Sequence, residues 1–348
     1  GQAVDVGVTP YLRLDLDVLE RNLDAMAAHA RTLGLALRPH AKTHKCPQIA
    51  DMQLARGAVG LTVATIGEAE VFAAAGAADL FIAYPLWVDA DDADRLHRLA
   101  EGGVRLRVGC DSAEAGAQLR GLPVELVVEI DSGHHRSGVA PAAAGTLASG
   151  LADLGMAVAG VFTFPGHSYS PDEASAAAAD EAGALALAAA AMTESGISAR
   201  VMSGGSTPSA ARVQAGSMTE LRPGVYVFGD AQQLELGTID WSQLALTVGS
   251  RVVSHARGRV IADAGSKALG ADRAPWTSGY GRVLDEPEAR IVALSEHHAT
   301  IEWPGALPAL GSTIRIVPNH VCSAVNLAEE YVLPDGGRWP VAARGRNH

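Results

Sequence analysis

"GLTVATIGEAEVFAAAGAADLFIAYP", residues 60–85, places two short apolar runs around a helical segment. "GLTVAT" (60–65) reads as a strand, "GEAEVFAAAG" (67–76) as a helix ending on glycine, and "LFIAYP" (80–85) as a second strand stopped by proline. This is a βα unit followed by the next strand, and not part of a meander.

The alternation continues on both sides. Further strand candidates stand at "LALR" (35–38), "VRLRVG" (104–109), "VELVVEID" (124–131), "VAGVFTF" (158–164), "ARVMSG" (199–204) and "ELRPGVYVFG" (220–229), eight in all. Helical segments such as "DDADRLHRLAEG" (91–102) separate most of them. An earlier helix starts near Asp17, where "DVLE" resembles a capping box, with Leu19, Leu23, Met26, Ala27 and Ala30 as its inward stripe. Eight βα units in roughly 230 residues match a (β/α)8 TIM-type barrel, usually about 250 residues long. A doubly wound open sheet is the alternative, but no G-x-G-x-x-G follows the first strand. After Asp240 the pattern changes to alternating strands in "ALTVGSRVVSHARGRVIADAG", "ARIVALSEHHATIEW" and "GSTIRIVPNHVCSAVNL". The expected α/β architecture is a barrel over 1–235 and an antiparallel β-rich domain over 236–348, with the boundary inside 231–243.

At 348 residues, 48% of them apolar and 19% charged, the chain can bury a large core. A net charge of −12 without a basic run argues against nucleic acid or an anionic membrane, so small molecules are the expected ligands. No apolar stretch reaches transmembrane length, and "GQAVDVGVTPYLRLDLD" lacks a signal pattern, so a cytoplasmic protein is expected. The three cysteines, Cys46, Cys110 and Cys322, fit reduced thiols or a ligand better than a disulfide framework.

Reactive groups in such barrels sit at the C-terminal ends of the strands. There the chain places Lys42 in "LRPHAKTHKCP" (37–47), then "DSGHHRSG" (131–138), "PGHSYS" (165–170) and "SGGSTPS" (203–209). Gly204, Gly205, Ser206 and Thr207 open a helix whose amides and dipole can hold a phosphate, bordered by Gly224 and Gly229; an ordinary glycine turn with a hydroxyl cap is the alternative. A phosphate cradle opposite a strand-end lysine is what pyridoxal phosphate needs. Lys42, two residues past His40 and followed by His44, is preferred to Lys45, which falls further into the expected next helix. Arg136 is read either as a contact to cofactor or substrate carboxylate or as a structural ion pair, and His134 and His135 stay open in the same way. His29, His97 and His255 are assigned to the structural background.

In "VPNHVCSAVN" (317–326), His320 and Cys322 are one residue apart. In an extended chain they share a face and can hold one cation, nitrogen plus sulfur favouring zinc; a core cysteine beside a histidine is the alternative.

In "RPHAKTHK", "GHHRSG", "PGHSY", "SGGSTPS", "ELRPGVYVFGD", "DAGSKALGAD" and "PNHVCSAVN", in this order, the chain resembles the fold-type III pyridoxal-phosphate enzymes of the D-serine dehydratase and D-threonine aldolase family, which have an alanine-racemase-like N-terminal domain. The resemblance implies a homodimer with sites near the interface, Lys42 as the cofactor-bearing lysine, and a divalent metal on His320 and Cys322. The cofactor set is Lys42, His40, Arg136, Gly204, Gly205, Ser206, Thr207 and Tyr226. Dehydratases of the family are similar in using the H-x-C pair with zinc, whereas the aldolases carry aspartate there and take manganese, so Cys322 points to dehydration. Phe164 stands where the family often has tyrosine and is left outside the site.

The expected substrate is a D-β-hydroxy amino acid. Lys42 would take its α-proton while Zn2+, or another divalent cation such as Mn2+, draws off the β-hydroxyl, leaving a keto acid and ammonia. Deprotonation of that hydroxyl by His167 or a neighbouring histidine would give the aldolase outcome, glycine and an aldehyde. An amino-acid racemase and a non-catalytic cofactor carrier are the remaining readings.

Overall fold

In the computed structural model, which describes residues 8–348, the short apolar runs form an eight-stranded parallel sheet. The stretch read for a targeting signal begins with residues 1–7, which lie outside the described residues. In chain order the strands are Ala36–Leu37, Leu61–Val63, Asp79–Pro85, Arg105–Cys110, Val124–Glu129, Ala157–Phe162, Val201–Gly204 and Glu220–Leu221. From Leu61 onward each pairs with its successor, and Glu220–Leu221 pairs with Ala36–Leu37. The ring closes just past Leu37: His40 bridges Thr62, the Ala41 N–H donates to Thr62 O at 2.8 Å, and the Thr62 N–H donates to Pro39 O at 2.9 Å. The expected barrel is therefore formed.

Its strands are buried along nearly their whole length because one face lines the barrel and the other lies under helices. Phe81, Ala83, Val127, Ala159, Phe162 and Val201 pack inside, with the Phe81 and Phe162 rings edge to face at 5.1 Å. The buried Arg38 guanidinium is paired with Asp79 at 2.6 Å and Glu220 at 3.1 Å, as a charge removed from water must be.

Helices Ile66–Ala74 and Ala90–Glu101 start on Thr65 and Asp89, whose side chains accept the Glu68 and Asp92 amides. Helix Leu16–Leu33 buries Leu19, Leu23, Ala27 and Ala30 as expected, whereas Met26 of the expected stripe is only half-buried. It begins earlier than the capping-box reading placed it: the Val18 N–H donates to Asp15 Oδ1 at 3.1 Å, and Asp17 lies in the first turn. The strand expected over 220–229 is only Glu220–Leu221, because Pro223 has no N–H to extend a ladder and the chain enters a 3-10 turn at Val225–Val227. Lys45 precedes helix Pro47–Ala55 and is not within it; its φ of 49° is outside the helical range.

The described residues divide into two compact units, 25–42 with 49–224 and 346–348, which holds the barrel, and 8–24 with 43–48 and 225–345. In the second unit the long strand Leu246–Ser254 pairs antiparallel with Tyr11–Leu14, Val260–Ala262 and Thr313–Pro318. Ala299–Glu302 and Arg290–Leu294 extend the sheet beyond Val260–Ala262, and Gly281–Val283 lies on Thr313–Pro318. Glu330–Val332 runs parallel to Tyr11–Leu14, with Arg338–Pro340 antiparallel beyond it. The strand reading of "NHVCSAVNL" does not hold: after Pro318 the chain turns, and Val321–Leu327 is a helix.

Candidate active site

At the C-terminal end of the barrel strands, Lys42 Nζ donates to Tyr84 Oη at 2.8 Å. The Tyr84 and Phe164 rings lie 5.5 and 6.0 Å from this ammonium, and the exposed Arg136 guanidinium stacks on the same rings at 5.2 and 5.5 Å. Two aromatic faces thus hold two cations at one barrel mouth. The His40 ring lies 6.0 Å from that of Tyr84. Tyr84 sits in strand Asp79–Pro85 and has no local signal in the sequence; Phe164, expected outside the site, meets His134 edge to face at 5.4 Å.

The loops carrying His134 and His167 interlock through glycines. A Cβ on Gly133 would lie 2.9 Å from the His167 ring, and one on Gly166 would strike the His134 ring. His167 Nε2 is 3.0 Å from Asp180 Oδ2. Burial, then the Arg136 charge, lowers the His134 imidazole from its ordinary value. His135 is exposed and paired with Asp131 at 2.7 Å. Of the background histidines, His29 and His255 lie 2.8 Å from the backbone carbonyls of Ala210 and Pro308, and His97 pairs with Glu101 at 3.1 Å.

The glycine turn follows strand Val201–Gly204 and opens a four-residue helix, Thr207–Ala210, capped reciprocally by Ser206 and Ser209. Ser206 Oγ is 2.8 Å from Ser168 Oγ, which ties the turn to the His167 loop. Two of its amides are engaged within the fold: the Gly205 N–H donates to Glu181 Oε1 and the Ser206 N–H to Ser209 Oγ. Burial raises the Glu181 carboxyl to about 7, with the Gly205 amide and the Arg222 charge opposing. Arg222, also buried, donates to Ser203 Oγ and Thr163 O, each at 2.8 Å.

Arg222 Nε, Glu129 Oε2 and His167 Nδ1 are buried at this end without a protein partner. Such atoms call for a polar ligand or ordered water. With the Lys42 amine, the Arg136 cation and the Ser206 hydroxyl, they fit an anionic ring cofactor of the pyridoxal phosphate kind.

In the second unit Tyr226 is buried in the turn Val225–Val227. His320 and Cys322 are hydrogen-bonded through their side chains, and Cys322 Sγ is also 3.2 Å from Thr43 Oγ1. They converge because His320 occupies the N-cap of helix Val321–Leu327 and Cys322 its first turn, and not through the extended chain expected. Burial lowers the His320 imidazole, but the Cys322 side chain and then Asp230 and Asp272 outweigh it and raise it to about 9. One nitrogen and one sulfur on a common side suit zinc and leave positions for water or substrate. Among the described residues no cluster of three or more His, Cys, Asp and Glu is arranged to hold a metal ion. Lys45 Nζ donates to Asn326 Oδ1 at 2.8 Å.

Comparison with known proteins bears on both units. Residues 14–232 match the family described as alanine racemase, N-terminal domain, and residues 245–333 match the putative serine dehydratase domain. D-threo-3-hydroxyaspartate dehydratase of Delftia sp. (strain HT23) is 36% identical over 354 residues, covering 90% of this chain and 91% of that protein. Its solved structure superposes with a TM-score of 0.89 at 31% identity, covering 98% of this chain and 99% of the other. A cysteine-to-alanine mutant of that dehydratase, solved in the metal-free form, superposes equally well, with a TM-score of 0.89 at 31% identity over 98% and 99% of the two chains. D-threonine aldolase of Arthrobacter sp. is 35% identical over 363 residues, 97% of this chain and 93% of that one. No helix among the described residues is long and apolar enough to cross a membrane.

Proposed function

The chain belongs to the fold-type III pyridoxal-phosphate enzymes that join an alanine-racemase N-terminal domain to a serine-dehydratase domain, and on that premise we propose a metal-dependent lyase of D-β-hydroxy amino acids that acts as a dehydratase. The observation carrying this reading is the His320–Cys322 pair, whose imidazole and thiol meet at a helix start. The metal-free form of the Delftia dehydratase mutant supports a metal in that relative.

In this reading the bound cofactor supplies the sink for electrons released at Cα, and a zinc ion supplies Lewis acidity for a departing hydroxide. Lys42 accepts the α-proton, and Tyr84 holds the lysine amine through its 2.8 Å hydrogen bond. Arg136 provides positive charge for the phenolic oxygen of the cofactor or the carboxylate of the substrate. His320 and Cys322 hold the metal. The net change is loss of water across Cα–Cβ, then hydrolysis of the resulting imine to a keto acid and ammonia. The family resemblance supports a homodimer, which light scattering on the purified protein would show as twice the chain mass.

One observation favours the aldolase outcome as the second reading. His167, oriented by Asp180, can take the proton of a β-hydroxyl and so release an aldehyde. Incubation with D-serine, D-threonine and D-threo-3-hydroxyaspartate, assayed for keto acids and for glycine, separates the two. Keto acid and ammonia in equal amounts support dehydration; glycine alone rejects it. Cys322→Ala is expected to remove the metal and most turnover while the cofactor's near-visible absorbance stays.

A further inference from the structure

We propose that Asp230 is a positioning residue for the metal pair: its buried carboxylate ties the helix start bearing His320 and Cys322 to a second helix and faces the imidazole. The inference rests on the metal assignment above and deepens it.

Asp230 is fully buried and is the N-cap of helix Ala231–Glu235, where its Oδ1 accepts the Gln233 N–H at 2.9 Å. The other oxygen accepts the Val321 N–H at 3.1 Å. Val321 lies between His320 and Cys322 and is the first residue of their helix, which has no side-chain cap of its own. The amides of a helix's first turn have no intrahelical acceptor, so Asp230 supplies from a distance of 91 positions the cap that His320 does not. A second link runs beside it: the Gln232 N–H donates to Asn319 O at 3.2 Å. The two helix starts are thereby held together at the backbone flanking both ligands.

The same Oδ2 lies 3.9 Å from His320 Nδ1, a charge contact and not a hydrogen bond. An anion on that side favours a proton at Nδ1 and leaves Nε2 to ligate, acting through charge in the same sense as the hydrogen-bonded outer carboxylates that orient metal-bound histidines. A carboxylate used only as a helix cap would not need to face the ring.

The test is zinc affinity, measured by competition with a chromophoric chelator on the cofactor-loaded protein, together with the thermal midpoint. Asp230→Asn keeps the size and one acceptor oxygen but loses the charge. Asp230→Ser keeps a good cap for helix Ala231–Glu235 but cannot reach both partners. Both are expected to weaken zinc binding by roughly tenfold to a hundredfold with the cofactor absorbance unchanged, and Cys322→Ala to abolish zinc binding. Lower thermal midpoints in both Asp230 variants with wild-type zinc affinity, beside a zinc-free Cys322→Ala, would overturn the inference and leave the metal assignment standing. Undiminished zinc in Cys322→Ala would overturn the assignment and the inference with it.

Discussion

Lys42 and Lys45 stand in one loop, yet the first donates to Tyr84 Oη and the second to Asn326 Oδ1. Lys42→Ala should abolish the near-visible absorbance of the bound cofactor, and Lys45→Ala should retain it; the opposite result in a simple titration with pyridoxal phosphate would reverse the assignment. Tyr84→Phe removes a hydrogen bond to a charged group, which contributes about 1.5–3 kcal/mol. Turnover should fall roughly tenfold to a hundredfold with cofactor occupancy unchanged, and steady-state kinetics at matched absorbance would reveal it. Lys42 was legible because it follows the first strand among histidines and a proline. Tyr84 was not, because its role comes from a partner 42 positions away that only the curling of the sheet brings within reach. Phe164 shows the same limit: its ring lies beside both cations, and nothing among its chain neighbours signals that contact.

Among the elements, the strand-to-helix turn at Gly204–Gly205 shows why small residues are needed. Gly205 has φ +89°, in the left-handed region, and a Cβ there would lie 2.8 Å from Leu221 Cδ2; a Cβ on Gly204 would strike the Glu181 carboxyl. Gly205→Ala should therefore cost about 1–3 kcal/mol in denaturant unfolding and weaken cofactor binding; an unchanged midpoint would show that the turn relaxes freely. Elements with a local signal were readable: the run of short apolar strands and the Leu19, Leu23, Ala27 and Ala30 stripe of Leu16–Leu33. Those whose ends depend on partners were displaced. Pro223 shortens the last barrel strand, and "NHVCSAVNL" becomes a helix although His320 and Cys322 alternate as in a strand.

For the molecule as a whole, Glu181 couples stability to pH. Its carboxyl titrates near 7 in the fold against 4.5 as the ordinary value, so the folded state holds a proton that the unfolded state releases. The contribution is complete below about 4.5 and is lost as pH rises through about 7, a change of roughly 3 kcal/mol. Urea midpoints of the wild type should fall between pH 5 and pH 8 by more than those of Glu181→Gln, which keeps the acceptor for the Gly205 amide but cannot ionise; parallel curves would remove Glu181 from this role. By itself the residue order determined the eight βα periods, the glycine and histidine loops at their ends, and the H-x-C pair, since periodicity, turn chemistry and ligand type are carried by neighbours along the chain. Tertiary structure alone decided that His40 and Thr62 close the ring, that Tyr11–Leu14 pairs with Leu246–Ser254, and that Asp230 faces His320. These are hydrogen bonds and charge contacts between groups far apart in sequence, and their partners are chosen only when the whole chain has folded.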